Sequence, residues 1–162
     1  MPVVPAEIML SKILANGTVV VAAAGLSMMS VVEWWLQVPI AGSRVLFLGG
    51  SCFYVFTVAA LGILLGTIAA TMGQFGLLCI PVLLVMMLLS GSTTPMESMP
   101  VWLQYMIKVI SPTPHFVAFA QGVLYRGADL SIVWLDILAT AAIGNVYFGF
   151  ALHRFRRVIF SG

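Results

Sequence analysis

Long apolar runs separated by brief polar interruptions dominate the chain. A helix needs about 20 largely apolar residues to cross a hydrocarbon core about 30 Å thick. Four stretches meet that requirement: Ile13–Trp35, Val45–Ala70, Thr71–Ser90 and Val133–Leu152. The first is free of charge as far as Val32 and ends on Glu33, Trp34 and Trp35. Paired tryptophans beside a charge mark an interface, because indole sits well between tails and headgroups. The second has no charge after Arg44 and is long enough to span with tilt. The third contains Pro81, which withdraws a backbone donor and predicts a kink. The fourth is entered by Trp134 and left at the basic cluster His153–Arg157. The connections at 36–44 (with Pro39 and Gly42) and 70–74 (where Gly73 breaks the run) are short, so consecutive spans pack antiparallel.

The stretch 91–130 follows a different pattern. Pro95, Pro100, Pro112 and Pro114 punctuate two short helical pieces within about 97–127. In the first, Val101, Trp102, Tyr105, Met106, Val109 and Ile110 share one face, and Gln104, Lys108 and Ser111 another. In the second, Thr113 suits a cap, Pro114 the first turn and Gly127 the stop, with Phe116, Val117, Ala120, Val123 and Leu124 as the apolar stripe. Neither piece is long enough to cross alone. They read either as a hairpin that lies in the interface or re-enters partway, or as an amphipathic surface loop. The fold class is therefore all-α integral membrane, a single domain over 1–162 with about four transmembrane helices and an amphipathic or re-entrant helical hairpin before the last one.

Composition supports lipid as the solvent. Of 162 residues, 62% are hydrophobic and 7% charged, whereas a soluble domain carries roughly 25% charged residues. The net charge of +2, from seven Lys or Arg against five Asp or Glu, is too small and scattered for a nucleic-acid face. Cys52 and Cys79 lie inside apolar runs and read as small buried hydrophobes. The first apolar run is too long for the core of a cleaved signal. With both termini inside, Lys12, Arg154, Arg156 and Arg157 are cytoplasmic, and Arg44, Lys108 and Arg126 lie outside. The three arginines directly after the last span favour that orientation.

Catalytic patterns are missing from the sequence. It has no phosphate-binding Gly-x-x-x-x-Gly-Lys loop, no nucleophile-elbow serine, and two histidines too far apart for a metal site. The expectation is a protein that is not an enzyme and carries no cofactor. Gly62 and Gly66 form a small-xxx-small pattern that lets another helix approach closely; such spacing also occurs by coincidence in apolar helices. Asp136, about one turn into the last span, reads as an interfacial acid or as a polar group lining a path. Glu97 reads as a cap for the first short helix, or as a partner of Lys108 or Arg126.

Several blocks together carry a family likeness: LSGSTTPMESMP from Leu89 to Pro100, PTPHFV from Pro112 to Val117, Ala120-Gln121, and LYRG from Leu124 to Gly127. With MPVVPAEIM at the start, Lys12, and GTIAA from Gly66 to Ala70, the whole chain resembles the C-terminal half of a bacterial ABC-2 type transport permease. The resemblance implies a permease subunit of an ATP-driven exporter in the bacterial inner membrane. It would form part of the substrate path, with ATP hydrolysed by a separate subunit or domain. Implied partners are an ABC ATPase, a second permease as homodimer or heterodimer, and membrane lipid, with no nucleic acid. It also implies that the short helices close an outer gate in the region of Glu97, His115, Tyr125 and Arg126. The chain matches only the second half of that pattern and lacks its first two helices, extracytoplasmic domain and cytoplasmic coupling helix, so a fragment of a longer permease is expected. The alternative is a small membrane scaffold or assembly protein without a transport cycle.

Overall fold

A computed structural model describes residues 4–160, and Met1–Val3 of the resemblance lie outside them. Six helices account for most of the described chain: α1 (Pro5–Ser27), α2 (Arg44–Ile68), α3 (Met72–Leu88), α4 (Val101–Ile110), α5 (Thr113–Arg126) and α6 (Leu130–Phe160). The chain is an all-α membrane protein. Among the described residues, three helical stretches are long and apolar enough to cross a bilayer: Pro5–Trp35, Arg44–Ile68 and Leu130–Phe160. The third expected span, Thr71–Ser90, is shorter than its apolar window. Its helix has 17 residues, about 25 Å at the usual helical rise.

Local chemistry explains the boundaries. Helix α1 starts earlier than its apolar run because Pro5 occupies the first turn, where its missing N–H costs nothing. It continues without a break into a π-helical segment, Met28–Trp35, which carries the interfacial tryptophans. Ser43 caps α2 by accepting from the Leu46 N–H at 3.3 Å. Between α2 and α3 the break falls at Ala69–Thr71, not at Gly73, which lies in the first turn of α3. Thr71 accepts from the Gln74 N–H at 3.2 Å, and Gln74 Oε1 accepts from the Ala70 N–H at 3.0 Å. This reciprocal cap stops one helix and starts the next within three residues. Helix α6 runs through the basic cluster instead of ending before it, so His153–Arg157 sit on helical turns.

Packing directions follow from the contacts. Gly17 lies against Val55 and Gly25 against Leu48, so α1 and α2 are antiparallel. Helices α2 and α6 make the most extensive pairing in the chain. Thr57 meets Thr140 and Gly144, Phe56 meets Phe148, and the start of each helix meets α5, so these two run parallel. The main core cluster is Phe119, Val123, Ala128 and Val133, backed by Leu46, Phe47, Phe116 and Ile137. It joins the first halves of α2 and α6 to α5. Phe119, 1% exposed, is its most buried ring, although it lies outside the stripe expected for that helix. No residue of α3 is buried, and the kink-prone Pro81 stays within a continuous helix. Both cysteines are free, and Cys52 faces outward, contrary to the expectation of a buried position.

Candidate functional site

In the α4–α5 hairpin, α5 packs against α2 and α6, and α4 packs on α5. The apex, Ile110–Thr113, does not lie at the end of the bundle. Tyr54, about 15 Å into α2, places its hydroxyl 3.4 Å from Thr113 Oγ1. Tyr147, about 25 Å into α6, donates its hydroxyl to the Ile110 carbonyl. From that apex α5 climbs back, and the Ala41 N–H donates to the Leu124 carbonyl at 3.1 Å. The helix ends on Gly127, whose φ of +62° supplies the left-handed stop. The hairpin thus descends to mid-height of the bundle and returns. Thr113 does not cap α5; Pro112 takes that position, and the Thr113 hydroxyl faces Tyr54.

Aromatic packing fixes the returning arm. Phe116 stacks on Tyr54 with ring centroids 4.2 Å apart, and Phe119 stacks on Phe47 at 6.4 Å. The Phe119 ring lies directly over Gly50, where a Cβ would fall 2.2 Å from Cζ. The backbone of α5 approaches the 36–44 connection just as closely, since a Cβ on Gly42 would fall 2.0 Å from the Val123 carbonyl oxygen. On α4 the expected amphipathic pattern points the other way from a core helix. Val101, Trp102, Tyr105, Met106, Val109 and Ile110 are exposed, whereas Ile107 and Ser111 are buried.

Beside the apex lies a polar cluster built by three helices. His115, in the first turn of α5, places Nε2 2.8 Å from the Lys108 carbonyl of α4 and Nδ1 3.4 Å from Asp136 Oδ1 of α6. Its side chain is 19% exposed and that of Asp136 30%. Asp136 thus has a partner on the hairpin, a pairing that spacing along the chain could not reveal. Glu97, exposed in the short 3-10 turn Met96–Ser98, pairs with neither Lys108 nor Arg126. Tyr125 and Arg126 are exposed at the far end of α5, about 16 Å from His115 along the helix axis. The four residues expected around an outer gate are therefore not gathered into one site; His115 alone sits in a built cluster. Arg44 instead pairs with Glu33, Nε to Oε1 at 2.7 Å, which ties α2 to the end of the α1 stretch.

The glycine pair on α2 faces an open groove. A Cβ on Gly62 would meet nothing within 4 Å, and one on Gly66 would meet only Phe75 at 3.9 Å. Lys12, Asn16, Ala59 and Phe75 share the lining of this groove, about 680 Å³ in volume. The close approach between helices of this chain occurs at Gly144, where a Cβ would fall 2.3 Å from Thr57 Oγ1. Thr140 and Gly144, four residues apart on one face, form a small-xxx-small pair that could have flagged this approach. At the same end, Lys12, Met9, Phe155 and Val158 line one cavity, so the start of α1 and the end of α6 are neighbours. Their basic residues therefore lie on one side of the bundle.

A family profile described as ABC-2 type transporter matches residues 1–125. The chain belongs to the ABC-2 type transporter family. It is 48% identical over 159 residues, 98% of its length, to the "Inner membrane transport permease YhhJ" of Escherichia coli (strain K12). It is 31% identical over 126 residues, 78% of its length, to the "Probable multidrug ABC transporter permease YbhR" of the same organism. These matches cover 42% and 34% of the two relatives, so the chain spans less than half of either. No solved structure matches it. Both relatives are named as permeases.

Proposed function

We propose that this chain is the C-terminal membrane half of an ABC-2 exporter permease and forms part of the substrate path in the bacterial inner membrane. In this reading a separate ATPase hydrolyses ATP and the helices described above change their packing in response. The observation that carries it is the 48% identity across nearly the whole chain to a protein named as an inner membrane transport permease. The geometry supports a division of labour. The α2–α6 pair forms the fixed spine, α3 is the third crossing, and the α4–α5 hairpin is a re-entrant gate in the outer leaflet. A spine can be rigid because its contact is close and continuous, whereas the hairpin is held by a few polar contacts at its apex and aromatic packing along one arm.

Both termini are cytoplasmic in this reading, which puts the shared basic end of α1 and α6 on the positive-inside side. The groove over Gly62 and Gly66 receives a helix from the rest of the permease or from a second permease, because small residues let backbones meet and gain dispersion contact.

The test is reconstitution in proteoliposomes with a cognate ABC ATPase. Joined to the remaining half of the permease, the chain should raise the ATPase rate and support ATP-dependent export. A joined permease that inserts and binds the ATPase yet leaves its rate unchanged would favour the scaffold alternative.

A further inference from the structure

Every hydrogen-bonding neighbour of the His115 ring is an acceptor. The Lys108 carbonyl can only accept, so Nε2, 2.8 Å away, must carry a hydrogen. A neutral imidazole has no second N–H, which leaves a lone pair on Nδ1. That lone pair points at Asp136 Oδ1, 3.4 Å away. With Asp136 ionised and His115 neutral, two lone pairs would face each other. One proton between them removes the conflict, either as imidazolium beside carboxylate or as neutral imidazole beside carboxylic acid.

We infer that His115 and Asp136 form a proton-binding site that clamps the re-entrant hairpin to α6. The proton count is one in either arrangement, and both arrangements place a donor between the two side chains. The other groups facing the site do not supply that donor. On α4, the Lys108 side chain is exposed and only its carbonyl reaches the ring. On α2, the Tyr54 hydroxyl is engaged with Thr113. On α6, Tyr147 donates to Ile110, and the Thr140 hydroxyl donates to the Asp136 backbone carbonyl at 2.8 Å. Where the pH leaves a hydrated histidine neutral, the docked hairpin therefore holds one more proton than a released one in which both groups meet water. By linkage, acidification favours docking and a rise in pH through the loss of that proton weakens it. Loss of the proton frees α5 from α6 at His115, while the core contact of Phe119 and Val123 with Val133 and the aromatic packing on α2 remain.

The site is tested on the chain alone in liposomes, without ATPase or export, so its outcome is separate from the permease reading. Two readouts are followed from about pH 5 to about pH 9, the range that brackets histidine titration. One is the ¹⁵N spectrum of the His115 ring in an H153Q background; the other is hydrogen exchange of the amides of α4 and α5. Expected are a ring with a donor at both nitrogens, or sharing a proton with Asp136, on the acid side, and a single neutral tautomer without that proton on the alkaline side. The protection of these amides, taken relative to the intrinsic exchange rate at each pH, should fall about tenfold through the same transition, the scale of one charge-assisted hydrogen bond. In D136N the amide itself donates to Nδ1, so the hairpin should stay docked and that fall in protection should disappear. Protection that does not change with pH in the unaltered chain, or that falls equally in D136N, overturns the proposal. If D136N fails to insert, the spectrum of the unaltered chain decides: a neutral ring without a shared proton throughout the docked range overturns it as well.

Discussion

Thr57 on α2 places its hydroxyl 2.9 Å from the Thr140 carbonyl on α6, and Gly144, one turn further along, leaves the space that the hydroxyl occupies. The Thr57 hydroxyl also lies 2.9 Å from its own helix's Phe53 carbonyl, so its single hydrogen serves either acceptor. Thr57 is 0% and Thr140 3% exposed, so this contact is sealed from the surroundings. Parallel helices separated by some 80 residues of chain meet here through atoms that a single added methyl would displace.

Gly144→Ala should destabilise the chain by roughly 1–3 kcal/mol, the usual cost of overpacking a closed contact. Thr57→Val should cost less, about 0.6 kcal/mol, because interhelical hydrogen bonds in membranes are weak when the alternative is bonding within the same helix. Detergent denaturation curves of the two variants compare them directly. A larger loss for Thr57→Val would mean that the hydrogen bond, not the shape, holds the spine together.

Adjacent glycines on α2 give an internal control. A Cβ at Gly49 meets nothing within 4 Å, whereas one at Gly50 strikes the Phe119 ring. Gly49→Ala should be neutral or stabilising by up to about 1 kcal/mol, as alanine is the better helix former. Gly50→Ala should loosen α5 and lower thermal stability in detergent. The same response at both positions would contradict the seating of Phe119.

Gly62→Leu and Gly66→Leu should leave folding of the isolated chain almost unchanged, because each faces open groove. In the assembled permease either change should reduce assembly, read by crosslinking or size in mild detergent. Assembly at the level of the unaltered protein would mean that this face looks at lipid.

Reporter fusions after Gly162 and within the 36–44 connection should report opposite sides of the membrane. This follows from cytoplasmic termini and an outward-facing first loop. The same sidedness at both positions would remove the four-span topology.

Glu33→Gln should have a small effect, about 0.2–1 kcal/mol, because the Arg44 side chain is 53% exposed and that of Glu33 23%. The loss should shrink as salt is raised. A loss of several kcal/mol would place the pair inside a closed interface that the isolated chain does not have.

The linear pattern determined this protein's membrane class and the placement of its helices. Run length against bilayer thickness is a local property, and so are proline punctuation, the Gly127 stop and the tryptophan positions, all of which act within a few residues. Helix ends were less legible where helix propensity outlasts hydropathy, as at Pro5–Lys12 and His153–Phe160. Which faces meet was decided only in three dimensions. The Gly62 and Gly66 spacing was visible but faces a groove, while Gly42 and Gly50, unmarked by any such repeat, make close approaches, as does Gly144. Asp136 and His115 are 21 residues apart, on different helices whose directions no periodicity specifies. Their meeting depends on the hairpin entering to mid-height beside α6. That depth is set by side chains from α2 and α6 together, and a pattern read one segment at a time holds no record of it.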